Sequence, residues 1–260
     1  MRTIVVPVDF SETSLNAVTY AVKMFTGVYG ANMILYHVYE KPEHKATAEQ
    51  SLQKLRKDLF DTGIVKIQLL CEEGHDFAGC LEKCVHKNKP DMVIMGITGK
   101  NKAVQTVIGS NTLAMIKKNL CPVLIIPPGA QFVKLKKIAL ASDFIHAPSP
   151  VTVRTIKDML SSFFASLHIV NVNPDHHVSI TEDEQKMKDE IDELFKGFEH
   201  EFYFISMYDL QETMNLFAKD NDIDMIITMP KDHSWFDALK GGSNTKKMVY
   251  QSTIPVLAVQ

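Results

Sequence analysis

Apolar residues along this chain fall into short unbroken runs, separated by longer stretches in which they recur every three or four positions. The first run, Thr3-Ile4-Val5-Val6-Pro7-Val8-Asp9, reads as a strand. Ser11 then stands as a helix N-cap ahead of Leu15, Val18, Val22 and Phe25 at helical spacing. Residues 32–38 are apolar again, 46–61 are polar with a helical period, and 64–71 return to strand character. Residues 75–88 carry Phe77, Cys80, Leu81, Cys84 and Val85 on one helical face, and Asp91-Met92-Val93-Ile94-Met95 gives a further buried strand. A loop from Gly96 to Gly109 opens a helix with Leu113, Ile116 and Leu120 on one side, and residues 121–126 form a fifth strand. Strands apolar on both faces, alternating with amphipathic helices, predict a parallel sheet sandwiched between helices.

The same order occurs twice. Gly109-Ser110-Asn111-Thr112 reappears as Gly242-Ser243-Asn244-Thr245, Met115 as Met248, and Pro122-Val123-Leu124 as Pro255-Val256-Leu257, at a constant shift of 242 − 109 = 133. Asp91-Met92 matches Asp224-Met225 at that shift, and the opening strand ending in Asp9 matches residues 137–143. The join falls at the breaker cluster Pro127-Pro128-Gly129-Ala130, which predicts domains over 1–130 and 131–260. The short linker predicts that the copies pack together.

Composition narrows the class of function. With 260 residues and 45% hydrophobic content the chain can bury two cores. A net charge of −3 with interspersed signs leaves no basic footprint for nucleic acid or an anionic membrane. No apolar stretch approaches membrane-spanning length, and Pro7 and Asp9 interrupt any signal-peptide core, so a soluble cytoplasmic protein is expected. Cys71, Cys80, Cys84 and Cys121 contain no CxxC pair and read as reduced core thiols.

Ligands of parallel α/β sheets sit beyond the carboxyl ends of the strands. In the first copy this singles out the Pro7-Val8-Asp9 end, the His37-Val38 end and the loop after Met95. That loop reads Gly96, two residues, Gly99, nine residues, Gly109, Ser110. Its glycines let backbone amides approach a polyphosphate, and the helix that follows adds its positive end and hydroxyls from Ser110 and Thr112. It is neither a Walker A motif nor a GxGxxG fingerprint. For Asp9 the competing role is to cap the turn before Ser11.

With Asp9, His37-Val38 and the glycine spacing in place, the chain resembles the universal stress protein family in its tandem form, over essentially its whole length. The resemblance implies two tandem Rossmann-like domains of the adenine nucleotide alpha hydrolase-like type, each a five-stranded parallel sheet flanked by helices. It implies that Asp9 lies beside the adenosine, that Val38 contacts adenine through its backbone, and that Gly96, Gly99, Gly109, Ser110 and Thr112 hold ribose and phosphates. The family carries a small aliphatic residue where this chain has Asn111. ATP or another adenine nucleotide is the implied ligand, with Mg²⁺ or Mn²⁺ bridging the phosphates through few protein groups. The copies are implied to pair through residues 123–126 and 256–259 as an intramolecular pseudo-dimer, leaving homodimerisation open.

The second copy departs from the motif. Met229 and Asp232 replace Gly96 and Gly99, Pro230 stiffens the turn, and only Gly241-Gly242-Ser243 survives. A carboxylate there repels phosphate oxygens by about 1 kcal/mol at ~4 Å even in bulk water. Trp235 and Phe236 either fill the vacated pocket or anchor a protein partner. The tract from Thr181 to Lys188 reads as the solvated face of a helix, and Asp175-His176-His177 lacks a third metal ligand at usable spacing. Nothing resembles a catalytic triad or nucleophile elbow. The expectation is therefore a nucleotide-gated stress-response module with at most weak ATP hydrolysis and an unknown protein partner. Its rival is a scaffold or small-molecule or lipid carrier built on the same fold.

Overall fold

Ile4, Val5 and Val6 are consecutive and all fully buried, which a strand achieves only when both its faces are covered. They belong to β1 (Thr3–Pro7), the middle strand of the first unit. The computed structural model describes residues 3–60, 66–97, 110–172, 181–207, 210–229 and 252–259, without the side chains of Phe60, Ser110 and Gln211. The chain divides into two units, Met1–Lys134 and Leu135–Gln260.

In the first unit, β1 is followed by α1 (Glu12–Phe25), β2 (Asn32–Tyr39), α2 (Lys45–Phe60), β3 (Lys66–Glu73), α3 (Phe77–Asn88), β4 (Met92–Gly96), α4 (Ser110–Lys118) and β5 (Val123–Ile126). The strands pair in parallel in the order β3-β2-β1-β4-β5. The second unit runs β6 (Lys137–Ala141), α5 (Pro150–Phe163), β7 (Ser166–Val172), α6 (Glu182–Leu194), β8 (His200–Ile205), α7 (Leu210–Asp220), β9 (Met225–Thr228) and β10 (Val256–Ala258). Its parallel order, β10-β9-β6-β7-β8, is the same topology. Each unit thus has the five-stranded parallel sheet that the apolar runs predict.

Local chemistry starts α1 and α6 where the sequence places them, and a serine starts α5 as one starts α1. Ser11 Oγ accepts from the Ser14 amide, and Ser149 Oγ accepts from the Thr152 amide ahead of Pro150 in the first turn. Thr181 and Glu184 form a reciprocal capping box at α6. That box buries Glu184, so the acidic tract is not solvated throughout. β1 and α3 are shorter than the sequence pattern, since the chain turns out of the sheet after Val8 and Asp76 is the N-cap of α3.

Two longer-range devices fix the strand ends. Asp91 Oδ2 accepts from the Thr3 amide at 3.0 Å, while Asp224 Oδ2 accepts from the Lys136 and Lys137 amides at 2.7 and 3.0 Å. The repeat therefore preserves a carboxylate that ties the start of the fourth strand to the start of the first. At the other end of β4, Gly96 lies against the first turn of α1, where an added Cβ would overlap the carbonyl oxygen of Thr13. Glycine is required there for helix and strand to approach.

The second unit also holds a buried imidazole. His168 on β7 is 7% exposed, with Nδ1 3.2 Å from Tyr203 Oη and Nε2 3.2 Å from Ser166 Oγ, and it packs against the rings of Tyr203 and Phe217. Burial lowers its pKa below the ordinary 6.5, aided by Lys137 and opposed by Glu201 and Glu199. The Tyr203 hydroxyl, which donates to Glu201, is pushed up to about 12.

Two outcomes are expected. Gly96→Ala should lower stability by about 1–3 kcal/mol in urea unfolding, through forced separation of α1 from β4. Because the unfolded chain takes up the His168 proton first, that residue's contribution is complete above about pH 6.5 and is lost on acidification. Between about pH 7.5 and 5.5, the protection factors of the Ile169 and Val170 amides, each taken against the intrinsic exchange rate at that pH, should fall more in the wild type than in His168→Gln.

Candidate functional site

The order β3-β2-β1-β4-β5 creates a switch point, because the chain builds outward on one side of β1 and then crosses to lay β4 on the other. Beyond the carboxyl ends of such strands a crevice opens. The ends of β1 and β4 are neighbours there, which places Pro7, Val8, Asp9, Met95 and Gly96 at the same end of the sheet. Val38 stands nearby on β2, opposite Glu72 on β3.

The turn after β1 is built in detail. Val8 still donates its amide to Tyr36 O at 2.8 Å, after which Phe10 adopts a left-handed backbone with φ of 62°. Asp9 Oδ1 accepts from the Ser11 amide at 3.0 Å and from Ser11 Oγ at 2.5 Å, and Ser14 Oγ accepts from the Asp9 amide at 3.4 Å. Partial burial pushes the Asp9 carboxyl up, but the serine hydrogen bonds outweigh it and hold the group below its ordinary value. Asp9 therefore does cap the turn, and it is also an exposed carboxylate with no cationic side chain paired to it among the described residues. A fixed, ionised carboxylate of this kind accepts hydrogen bonds from ligand hydroxyls.

Gly96 has a role the sequence alone does not reveal, since the packing against Thr13 already demands a glycine. Within the Gly-Ser-Asn-Thr segment, Asn111 is exposed in the first turn of α4 while Thr112 is 2% exposed. Gly99 and Gly109 lie outside the described residues, as do Pro230, Asp232, Trp235, Phe236 and the Gly241-Gly242-Ser243 end of the second copy.

The second unit has the matching turn. Phe144 after Asp143 is also left-handed, with φ of 50°, and Asp143 Oδ1 accepts from the Ile145 amide at 3.0 Å. Here, however, Asp143 Oδ2 is engaged by His146 Nδ1 at 2.9 Å. Phe144 is buried and stacks on Phe204 at 5.3 Å, whereas half-buried Phe10 leans on the His37 ring at 4.9 Å. The recurrence of Asp-Phe at residues 9–10 and 143–144 is the sequence signal that points to this shared turn.

The four cysteines are free; Cys80 and Cys84 are buried, while Cys71 and Cys121 are only half-buried. Burial raises all four thiol pKa values, that of Cys84 to about 11 and that of Cys121 to about 12, so the thiols stay protonated near neutrality. Among the described residues no group of three metal-ligating side chains converges, and no helix is long and apolar enough to cross a membrane.

Comparison with known proteins extends the pattern. A universal stress protein of Methanocaldococcus jannaschii is 29% identical over 140 residues, covering 48% of this chain and 81% of its own length. A universal stress protein structure from Archaeoglobus fulgidus DSM 4304 matches with a TM-score of 0.75 at 17% identity, covering 99% of this chain and 98% of its own. A structure titled a putative universal stress protein, from Pseudomonas aeruginosa UCBPP-PA14, matches with a TM-score of 0.67 at 15% identity, over 100% and 93%. The sequence model described as Universal stress protein family matches twice, at residues 1–127 and 134–260. The duplicated parallel sheet and both family matches agree, and the chain belongs to the universal stress protein family as a tandem member.

Proposed function

We propose that the first unit binds an adenine nucleotide, ATP foremost, at the carboxyl ends of β1, β2 and β4, and that the bound nucleotide switches a stress-response surface. The observation that carries this reading is the placement of Asp9. Its carboxylate stands just beyond the end of β1, at the switch point, held ionised by Ser11 and Ser14 and with no cation paired to it among the described residues. Asp9 would receive the ribose hydroxyls, and the Val38 backbone would meet the adenine. The glycine-rich segment through Gly99 and Gly109 to Ser110, Asn111 and Thr112 would hold the phosphates with a bridging Mg²⁺ or Mn²⁺.

The second unit takes no nucleotide in this reading. Its equivalent carboxylate is occupied by His146, and Met229 and Asp232 replace the two entry glycines. Binding is the activity in this reading, with at most weak ATP hydrolysis. A protein that reads the nucleotide state of a surface needs only differential affinity between its two states.

Calorimetric titration of ATP, with and without Mg²⁺, tests the proposal on the wild type, Gly109→Asp and Asp9→Asn. One ATP per chain is expected, abolished in Gly109→Asp and weakened about tenfold in Asp9→Asn through loss of a charge-assisted hydrogen bond. Two equivalent sites per chain would overturn the asymmetry of the units. No binding at millimolar ATP would overturn the nucleotide reading itself.

A further inference from the structure

When β1 ends, the chain leaves the sheet, and the carbonyl of Val8 loses the backbone donor it would otherwise have met on β2. Val8 is 2% exposed, so water does not replace that donor. The side chain of His37, from the neighbouring strand, supplies it: His37 Nδ1 lies 2.7 Å from Val8 O. A carbonyl only accepts, so Nδ1 carries the proton.

The second unit meets the same demand with a different residue. Ser142 donates its amide to Val170 O at 3.0 Å, as Val8 does to Tyr36 O at 2.8 Å. Asn171 Nδ2 then donates to Ser142 O at 3.0 Å. Both side-chain bonds span 29 residues, from the end of the second strand to the residue just before the turn aspartate. Histidine Nδ1 and asparagine Nδ2 lie at the same reach, two bonds beyond Cβ, whereas a glutamine nitrogen lies one bond further out. The two copies have diverged in residue identity, in loop length and in the packing of the turn phenylalanine, yet both keep a donor at this reach on this carbonyl.

We infer that His37 is a positioning residue: its Nδ1–H latches the end of β1 to the end of β2 and so fixes where the Asp9 carboxylate and the first amides of α1 stand. Its effect on ligand rests on the nucleotide reading above, but its effect on the turn does not. Asp9 is one residue beyond the latched carbonyl, and the left-handed Phe10 that follows leans on the same imidazole. Without the latch, the Val8 amide is the one hydrogen bond by which Val8, Asp9 and Ser11 stay tied to β2 among the described residues. The carboxylate then samples positions displaced from the switch point.

The test compares His37→Leu, which removes the donor at similar size, with His37→Asn, which transplants the second unit's own solution. Two readouts are taken on the full chain: amide exchange at Ser11 without nucleotide, and ATP affinity. His37→Leu should speed Ser11 exchange and weaken ATP binding about tenfold each, the scale expected for stranding one buried acceptor. His37→Asn should restore both to within about threefold of the wild type, a rescue that a generic packing role for the imidazole does not produce. Equal exchange and affinity in His37→Leu and wild type would overturn the latch, as would a His37→Asn variant no better than His37→Leu. Ser11 exchange that follows the donor in a wild type that takes no ATP would support the latch and remove the nucleotide reading.

Discussion

A central parallel strand must release its chain from the sheet before a ligand can be met, and each backbone group it abandons still needs a partner. In this protein that need is concentrated at one carbonyl per unit, Val8 O and Ser142 O, where the chain turns from the first strand toward the first helix. The turn that follows is strained, with a non-glycine residue at positive φ in both copies. It persists because it is bounded on three sides. A side-chain donor from the second strand holds its start, the aspartate folds back on the amide two residues on, and a serine caps the helix beyond. The candidate site of the first unit is the outer surface of that arrangement.

The duplication lets the two units serve as controls for one another. Features retained in both, such as the carboxylate of Asp91 or Asp224 on the first strand's amides, belong to the fold. Features that differ belong to what each unit does with its crevice. The first keeps an ionised, exposed aspartate and a glycine entry to the loop, while the second engages its aspartate with His146 and buries Phe144 against Phe202 and Phe204. Such changes leave the sheet itself intact, since the residues that alter lie beyond the strand ends and not in the buried core.

Gly96 shows how one residue can satisfy two demands that sequence spacing alone does not separate. It opens the glycine loop after β4, and it also permits α1 to lie against β4 at Thr13. The second demand alone excludes a side chain at this position, so the glycine is weaker support for ligand approach than its place in the motif suggests. Asp9 combines roles in the same way, capping its turn through Oδ1 while remaining exposed.

Much of the architecture was legible in the sequence because it depends on short-range regularities. Buried runs such as Ile4-Val5-Val6, the helical spacing after Ser11, the cap at Ser11 and the shift of 133 residues between copies are read directly along the chain. They determined two copies of a parallel α/β unit, and they pointed to Asp9 and to the loop after Met95. The tertiary structure alone decided which strands are neighbours, and hence that β1 and β4 flank a crevice, that Gly96 faces Thr13, and that His37 rather than Val38 carries the side-chain bond at the end of β2. Those outcomes join residues tens of positions apart. A bond from residue 37 to the carbonyl of residue 8 exists only once two strands lie side by side in one register, and no period or composition along the chain encodes that register locally.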